Sequence, residues 1–395
     1  MKIGILVPSI YMHDQAFQNR ISAPMVLSLV MADGLIKKGI EVVFFSGPGV
    51  PTKAKVVSSD EDLINANYKV DYQQDLPKNT YETVSLYEKK KYFELGIVSK
   101  AYKMALNKEV DLLHVYHAYG NLAHYFAELL HVPTLFTLHI LPPPENSFER
   151  WRYKRFANQN FVAISNSQKK GFLDIIPDMN VVDTIYHGIS QEDFGFSLTP
   201  QDYIAFVGRA IPEKGLDIGI KLAIEENVCI RIATHLNEVA LDSDYYKKEI
   251  EPHIKNKYVE LTDLFDLKEK ARFYQNAKAF ISPVRWEEPF GMVMIEAMSC
   301  GTPVIAFARG SVLEVVKDGE TGFIVNSSPD DIRGDWIIKK TGIEGLREAL
   351  NRIFSMPKDQ YEQMRRNCRK RTEEKFTVDK MVDSYEALYK KILGI

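Results

Sequence analysis

The chain has 395 residues, 45% of them hydrophobic and 26% charged, with a formal net charge of -3. That length fits two domains of ordinary size better than one, and the slightly acidic balance excludes a protein that binds nucleic acid through bulk charge. No apolar run approaches the roughly 20 residues of a membrane span, and Cys229, Cys300 and Cys368 are too scattered for a disulfide framework or a metal knuckle, which predicts a reducing, cytoplasmic setting.

The chain opens on KIGILV, an apolar run suited to a buried parallel strand and too short for a signal-peptide core. A helical pattern follows, APMVLSLVMADGLIKKG, with Gly39 as its stop, and then a second apolar run, EVVFFS. Strand, helix and strand within about 45 residues make a βαβ unit. The segment 60–95 is the least readable; Lys89, Lys90 and Lys91 there read as a solvated helix face rather than a membrane contact. The alternation continues through DLLHVYHA, NLAHYFAELLH, PTLFTLH, FVAIS, a short helix from Ser165 and VVDTIYHGI. Continuous apolar strands of this kind belong to parallel sheets covered on both faces.

The pattern then restarts. QDYIAFVGR (201–209) reads as a fresh first strand, followed by KGLDIGIKLAIEE, VCIRIAT, YVELTD, KEKARFYQNA, AFISPV, a helix at 291–300 and PVIAF. The polar stretch 190–200, SQEDFGFSLTP, is the predicted boundary between a first domain, 1–190, and a second, 200–376. FTVDKMVDSYEALYKKIL closes the chain as an amphipathic helix. Two doubly wound α/β domains predict ligand binding at the carboxyl ends of their strands, in a cleft.

The chemistry concentrates in SPVRWEEPFGMVMIEAMSCGTPVI, residues 282–305. Strand AFISPV ends in a loop, and a helix starts near Gly291. A helix N-terminus offers unsatisfied N–H groups and a positive dipole end to an anion, and glycine lets a phosphate approach the backbone. Phe290, Gly291, Met292 and Val293 therefore line a candidate anion site. Glu296, among apolar neighbours in the second turn, needs partners; a ribose diol would supply two donors, and so would a structural ion pair. Glu288 either accepts from sugar hydroxyls or caps the helix. On these residues alone the functional and structural readings stand level. Arg209 and Lys214, in VGRAIPEKG, are two cations at a strand's carboxyl end that either clamp a diphosphate or are solvated loop cations. His139, after PTLFT, lies at another strand end, as do His114 and His117, one of which can face the core.

E-P-F-G with a second glutamate eight positions after the first, then E-A-M-x-C-G-x-P-V-I, resembles the signature of the retaining GT-B glycosyltransferases of family 4 (glycosyl transferases group 1). The likeness extends to RGSVLEVVKDGETGFIV (309–325) and VGRAIPEKGLD (207–217). It implies two Rossmann-like domains facing each other, with the 377–395 helix crossing back to the first. It implies that Arg209 and Lys214 hold the β-phosphate, Glu296 the ribose, and Glu288 with His139 the donor sugar. The spacing to Glu296 selects Glu288 over its neighbour Glu287. The implied reaction moves a hexose from a nucleotide diphosphate sugar, UDP-glucose or a related UDP-hexose, to an acceptor hydroxyl with retention and no required metal or cofactor.

The first loop departs from the family pattern: Ser22-Ala23-Pro24 stands where many members have Gly-Gly, which puts the acceptor site in question. Asp242-Ser243-Asp244 has the D-x-D form of metal-dependent transferases of another fold, but reads as an N-cap and solvated acidic loop. No G-x-G-x-x-G follows the first strand, which argues against a dinucleotide oxidoreductase. A nucleotide-sugar epimerase, a phosphorylase and a non-catalytic nucleotide-sugar binder are the alternatives on this fold. The basic-aromatic run RWRYKRF (150–156) reads as a surface helix, with peripheral membrane contact as its alternative.

Overall fold

A computed structural model describes residues 1–14, 23–65, 78–116, 122–234, 236, 238–262 and 266–395. The chain divides into two compact units. One comprises Met1–Ile164, Lys169–Ile185 and Met381–Ile395; the other comprises Ser165–Gln168 and Tyr186–Lys380.

In chain order the first unit's elements are β1 (Lys2–Leu6), α1 (Ala23–Lys37), β2 (Glu41–Phe45), β3 (Lys55–Val57), α2 (Asp62–Asn65), α3 (Lys78–Leu106), β4 (Leu112–Val115), α4 (Ala123–Leu130), β5 (Thr134–Thr137), α5 (Phe148–Arg155), β6 (Asn160–Ala163), most of α6 (Asn166–Ile175) and β7 (Val181–Thr184). The strands form one parallel sheet in the order β3-β2-β1-β4-β5-β6-β7. Ile3, Ile5, Leu6, Leu112 and Leu113 are fully buried because helices cover both faces of such a sheet. In the sequence α3 shows only as a helix face at Lys89–Lys91 and not in its full extent. Among its described side chains the buried ones, Phe93, Ile97, Val98, Ala101 and Tyr102, recur at helical spacing in its C-terminal half. Lys89 donates to the Ile64 carbonyl at 2.8 Å, and Lys90 sits 5.0 Å from the Tyr11 ring centroid.

The second unit contains β8 (Tyr203–Val207), α7 (Leu216–Glu225), β9 (Cys229–Ala233), α8 (Glu238–Asp242), β10 (Val259–Thr262), α9 (Leu267–Asn276), β11 (Ala279–Ser282), α10 (Met292–Ser299), β12 (Val304–Phe307), α11 (Val312–Val315), β13 (Gly322–Val325), α12 (Gly342–Phe354) and α13 (Lys358–Lys375). Its sheet is also parallel, in the order β10-β9-β8-β11-β12-β13. Ile204, Phe206, Ile220, Ile232, Ile281, Ile305, Leu346 and Leu350 form its core. The strand order reverses direction between β8 and β11, and ligands of open α/β sheets bind outside the carboxyl ends of the strands at that point.

The last helix, α14 (Val378–Leu393), contributes its residues from Met381 onward to the first unit. Tyr389 of α14 bonds His114 Nδ1 at 2.6 Å, and Thr137 Oγ1 meets His114 Nε2 at 2.6 Å and the Tyr385 hydroxyl at 3.1 Å. His114 is thus the core-facing histidine, held neutral because burial lowers its pKa to about 3. His117 lies outside the described residues. Two parallel Rossmann-like sheets are what the GT-B resemblance implies, and no helix among the described residues is long and apolar enough to cross a membrane.

Candidate functional site

The two loops that matter leave adjacent strands. β8 and β11 are hydrogen-bonded neighbours, pairing Ile204 with Ala279 and Ala205 with Phe280. After β8 the chain runs through Arg209 into a single 3-10 turn, Pro212–Lys214, closed by Gly215. After β11 it runs through Arg285, Trp286, Glu287 and Glu288 to Gly291, the N-cap of α10.

These loops meet at a carboxylate. Lys214 Nζ lies 2.7 Å from Glu288 Oε2, and Trp286 Nε1 donates to the same oxygen at 2.8 Å. Glu288 is buried, so its charge is held by charge-assisted bonds rather than by water. The Trp286 ring is also a platform: Lys214 Nζ stands 4.5 Å and the Arg209 guanidinium carbon 5.9 Å from its centroid. Cations in that position are attracted by the ring's negative face. Trp286 had no role in the sequence reading, although its place inside W-E-E-P-F-G was the available signal.

Arg285 binds the two loops together. Its backbone N–H donates to the Glu213 carbonyl at 2.8 Å, and its guanidinium reaches the Pro212 carbonyl at 2.6 Å and Asp217 at 2.5 and 2.8 Å. Burial alone would raise the Asp217 carboxyl; bonds from Arg285 and Tyr245 outweigh it and hold the carboxyl below its ordinary value.

α10 carries the rest. Gly291 has φ +77°, a left-handed conformation that L side chains rarely adopt. It precedes the first-turn amides of Met292 and Val293, which as the opening amides of a helix have no acceptor within it. Phe290 is placed differently from the other candidates. Its side chain is buried against the rings of Tyr186, His187 and Phe376 at 5.0–6.0 Å, so packing occupies it and only its backbone can serve an anion.

Glu296 is buried, and Lys270 of α9 pairs with its Oε2 at 2.6 Å while the Tyr274 hydroxyl donates to it at 3.0 Å. Burial and the neighbouring carboxylate push the Tyr274 hydroxyl well above its ordinary value, so it remains a donor. The partners of both glutamates converge on Oε2. Among the described residues neither Oε1 accepts a hydrogen bond.

Glu287 is drawn the other way, to Arg309, Arg333 and the Gly310 amide. The structure therefore separates the two adjacent glutamates: Glu288 meets Lys214, and Glu287 does not. His139 follows β5 in the first unit, half-buried, with its ring centroid 5.2 Å from that of Tyr116. Ala23 is the exposed first residue of α1, while Ser22 lies outside the described residues. Asp242 and Asp244 are exposed and paired with Lys247 and Lys248, and Ser243 Oγ accepts from the Tyr246 amide at 3.2 Å. Among the described residues no group of three or more His, Cys, Asp or Glu converges as a metal ligand set. The RWRYKRF run is helix α5, with Phe148 and Trp151 exposed and Arg152 and Tyr153 buried.

The second half of the chain, residues 191–372, matches the model of the glycosyl transferases group 1, and residues 27–193 match that of glycosyltransferase family 4. An uncharacterized glycosyltransferase of Methanocaldococcus jannaschii is 28% identical over 299 residues, covering 69% of this chain and 79% of the relative. The alpha-maltose-1-phosphate synthase of Mycobacterium tuberculosis is 25% identical over 286 residues, covering 62% of this chain and 70% of that enzyme. Among solved structures, HepE of Anabaena in complex with UDP and glucose superposes with a TM-score of 0.68 at 16% identity, covering 99% of this chain and 100% of that one. The chain belongs to the group 1 glycosyl transferases, enzymes of the GT-B fold.

Proposed function

We propose that the enzyme takes its hexose from a UDP-sugar held on the second unit and transfers it, with retention, to an acceptor hydroxyl. The observation that carries this reading is the junction of Lys214, Trp286 and Glu288 beside the N-terminus of α10. HepE, with a similar fold, was crystallised with UDP and glucose, which supports a UDP-hexose.

In this reading Arg209, Lys214 and the amides of Met292 and Val293 bind the diphosphate. An ammonium has three N–H donors, and the bond to Glu288 engages only one of them. Glu296 Oε1 accepts from the ribose diol, and Glu288 Oε1 accepts from a sugar hydroxyl.

As the bond between the anomeric carbon and the diphosphate oxygen breaks, charge grows on the β-phosphate. The two cations and the helix amides stabilise that charge without reorganising. The acceptor oxygen bonds to the same face of the anomeric carbon, and its proton passes to the departing phosphate oxygen. No protein carboxylate need act as nucleophile, in contrast to retaining glycoside hydrolysis.

A thermal-shift screen of nucleotide sugars, followed by acceptor assays with the one that binds, tests the reading. UDP-glucose or another UDP-hexose should raise the melting temperature most. Failure of every UDP-sugar, with stabilisation by a different nucleotide, would refute the donor assignment. Proton NMR of the fresh product reads the anomeric configuration.

A further inference from the structure

The loop after β13 sits beside the donor loop without supplying any of the residues assigned to the donor. It is internally tied. Asn326 accepts from the Arg333 amide at 2.8 Å and donates to the Gly334 carbonyl at 3.0 Å, and Asp331 bonds both Ser327 Oγ and Arg333 Nε at 2.7 Å. The Arg333 guanidinium holds the Asp331 carboxyl below its ordinary value.

From this loop Arg333 Nη1 reaches Glu287 Oε2 at 2.7 Å. The Gly310 amide donates to the same oxygen at 2.8 Å, and Arg309 Nη1 bonds Glu287 Oε1 at 3.2 Å. Arg309 is itself fixed by Asp331 at 2.7 Å and Ser327 at 3.0 Å. One residue on, the Ser311 amide donates to the Glu288 carbonyl at 2.9 Å.

Two adjacent glutamates thus face opposite partners: Glu287 is clamped by two arginines and an amide, and Glu288 meets Lys214. Fixing the carboxylate and backbone of the first fixes where the second points. We propose that Arg333 and Glu287 are positioning residues that hold the Glu288 carboxylate on Lys214, and so set how the enzyme grips the sugar of its donor.

Exposed ion pairs contribute little to stability. Glu287 is 44% and Arg333 30% exposed at the side chain, so the clamp's effect falls on geometry rather than on folding. Small displacements of a positioning group cost on the order of a hundredfold in rate. The inference rests on the reading of Glu288 and Lys214 as donor ligands, and two readouts keep the two claims apart.

The first readout needs no nucleotide: the acylation rate of Lys214, read by mass spectrometry, in wild type, Arg333→Ala and Glu287→Gln. Lys270, paired with Glu296 in the same unit, is the internal control. Both variants should label Lys214 severalfold faster, with Lys270 and the melting temperature unchanged. Unchanged labelling of Lys214, or equal acceleration at both lysines, overturns the clamp. The second readout is calorimetric binding of UDP-glucose and of UDP. Both clamp variants should weaken UDP-glucose about tenfold while leaving UDP within about twofold; equal losses for both ligands mark a merely structural role and overturn the inference. Glu288→Gln is the reference. If it leaves UDP-glucose binding intact, the donor reading falls, whatever the labelling gives.

Discussion

Lys214 Nζ lies 2.7 Å from Glu288 Oε2, and through that one bond the loop after β8 is joined to the loop after β11. The indole N–H of Trp286 ends on the same oxygen. Removing either donor leaves a buried carboxylate with one charge-assisted bond fewer, so both substitutions report on one junction.

Trp286→Phe keeps a ring beneath the two cations and deletes only the N–H. A hydrogen bond to a charged group contributes about 1.5–3 kcal/mol, so titration calorimetry should show UDP-glucose affinity down by about ten- to a hundredfold. Trp286→Leu, which also loses the cation–ring contacts, should fall further. Equal affinity for wild type and Trp286→Phe would remove Trp286 from the site.

Gly310→Ala should cost activity out of proportion to its size. Gly310 has φ +59°, and a Cβ there would collide with the backbone N and O of Glu288. Gly39 has φ +80° with nothing near its Cβ position. Both alanines carry a conformational cost of about 1–3 kcal/mol, readable by denaturant unfolding. Only Gly310→Ala should also weaken UDP-glucose binding, because only there does the new methyl displace Glu288.

Glu296 gives a chemical test of the ribose assignment. Wild type should bind UDP about tenfold or more tightly than its 2′,3′-dideoxy analogue, and Glu296→Ala should bind the two alike. A preference that survives Glu296→Ala would return Glu296 to a structural role with Lys270 and Tyr274.

Three of the buried histidines, His114, His124 and His187, give the fold a pH dependence of definite sign. Burial lowers His114 and His187 to about 3 and His124 to about 4 from an ordinary 6.5. Their pKa values are depressed in the folded state, so the unfolded chain takes up the protons. The stability they contribute is whole above about pH 6.5 and is lost as pH falls toward about 4 for His124 and about 3 for His114 and His187, at up to about 1.4 kcal/mol per pH unit for each. Calorimetry near pH 5.5 in buffers of different ionisation enthalpy should register uptake of about three protons on unfolding. Uptake near zero would contradict the burial of these rings.

Most strands, many helices and the ligand loops were legible because parallel strands write themselves as apolar runs and α10 starts at a glycine; the short strand β3 and the last strand β13 drew no reading. The extent of helix α3 was not legible because, among its described side chains, the buried stripe lies in its second half, and the helices α12 and α13 drew no reading from the sequence. At the site, Lys214, Glu288 and Glu296 were visible as residue types at a spacing. Their partners were not: Lys270 and Tyr274 sit on another helix, and Arg333 lies 46 positions from the glutamate it clamps. Such pairings are set by tertiary packing, which no local pattern records. The spacing to Glu296 already selected Glu288 over Glu287; the structure adds their different partners, Lys214 for Glu288 and Arg333 for Glu287.

The central claim is that the Lys214–Glu288 junction is the heart of a nucleotide diphosphate sugar site. Calorimetric titration of UDP-glucose into wild type and Lys214→Ala, with melting curves checked to coincide, tests it most directly. The account predicts an affinity loss of about tenfold or more in the variant, from the loss of a cation on the diphosphate; equal affinity in two equally folded proteins would contradict it.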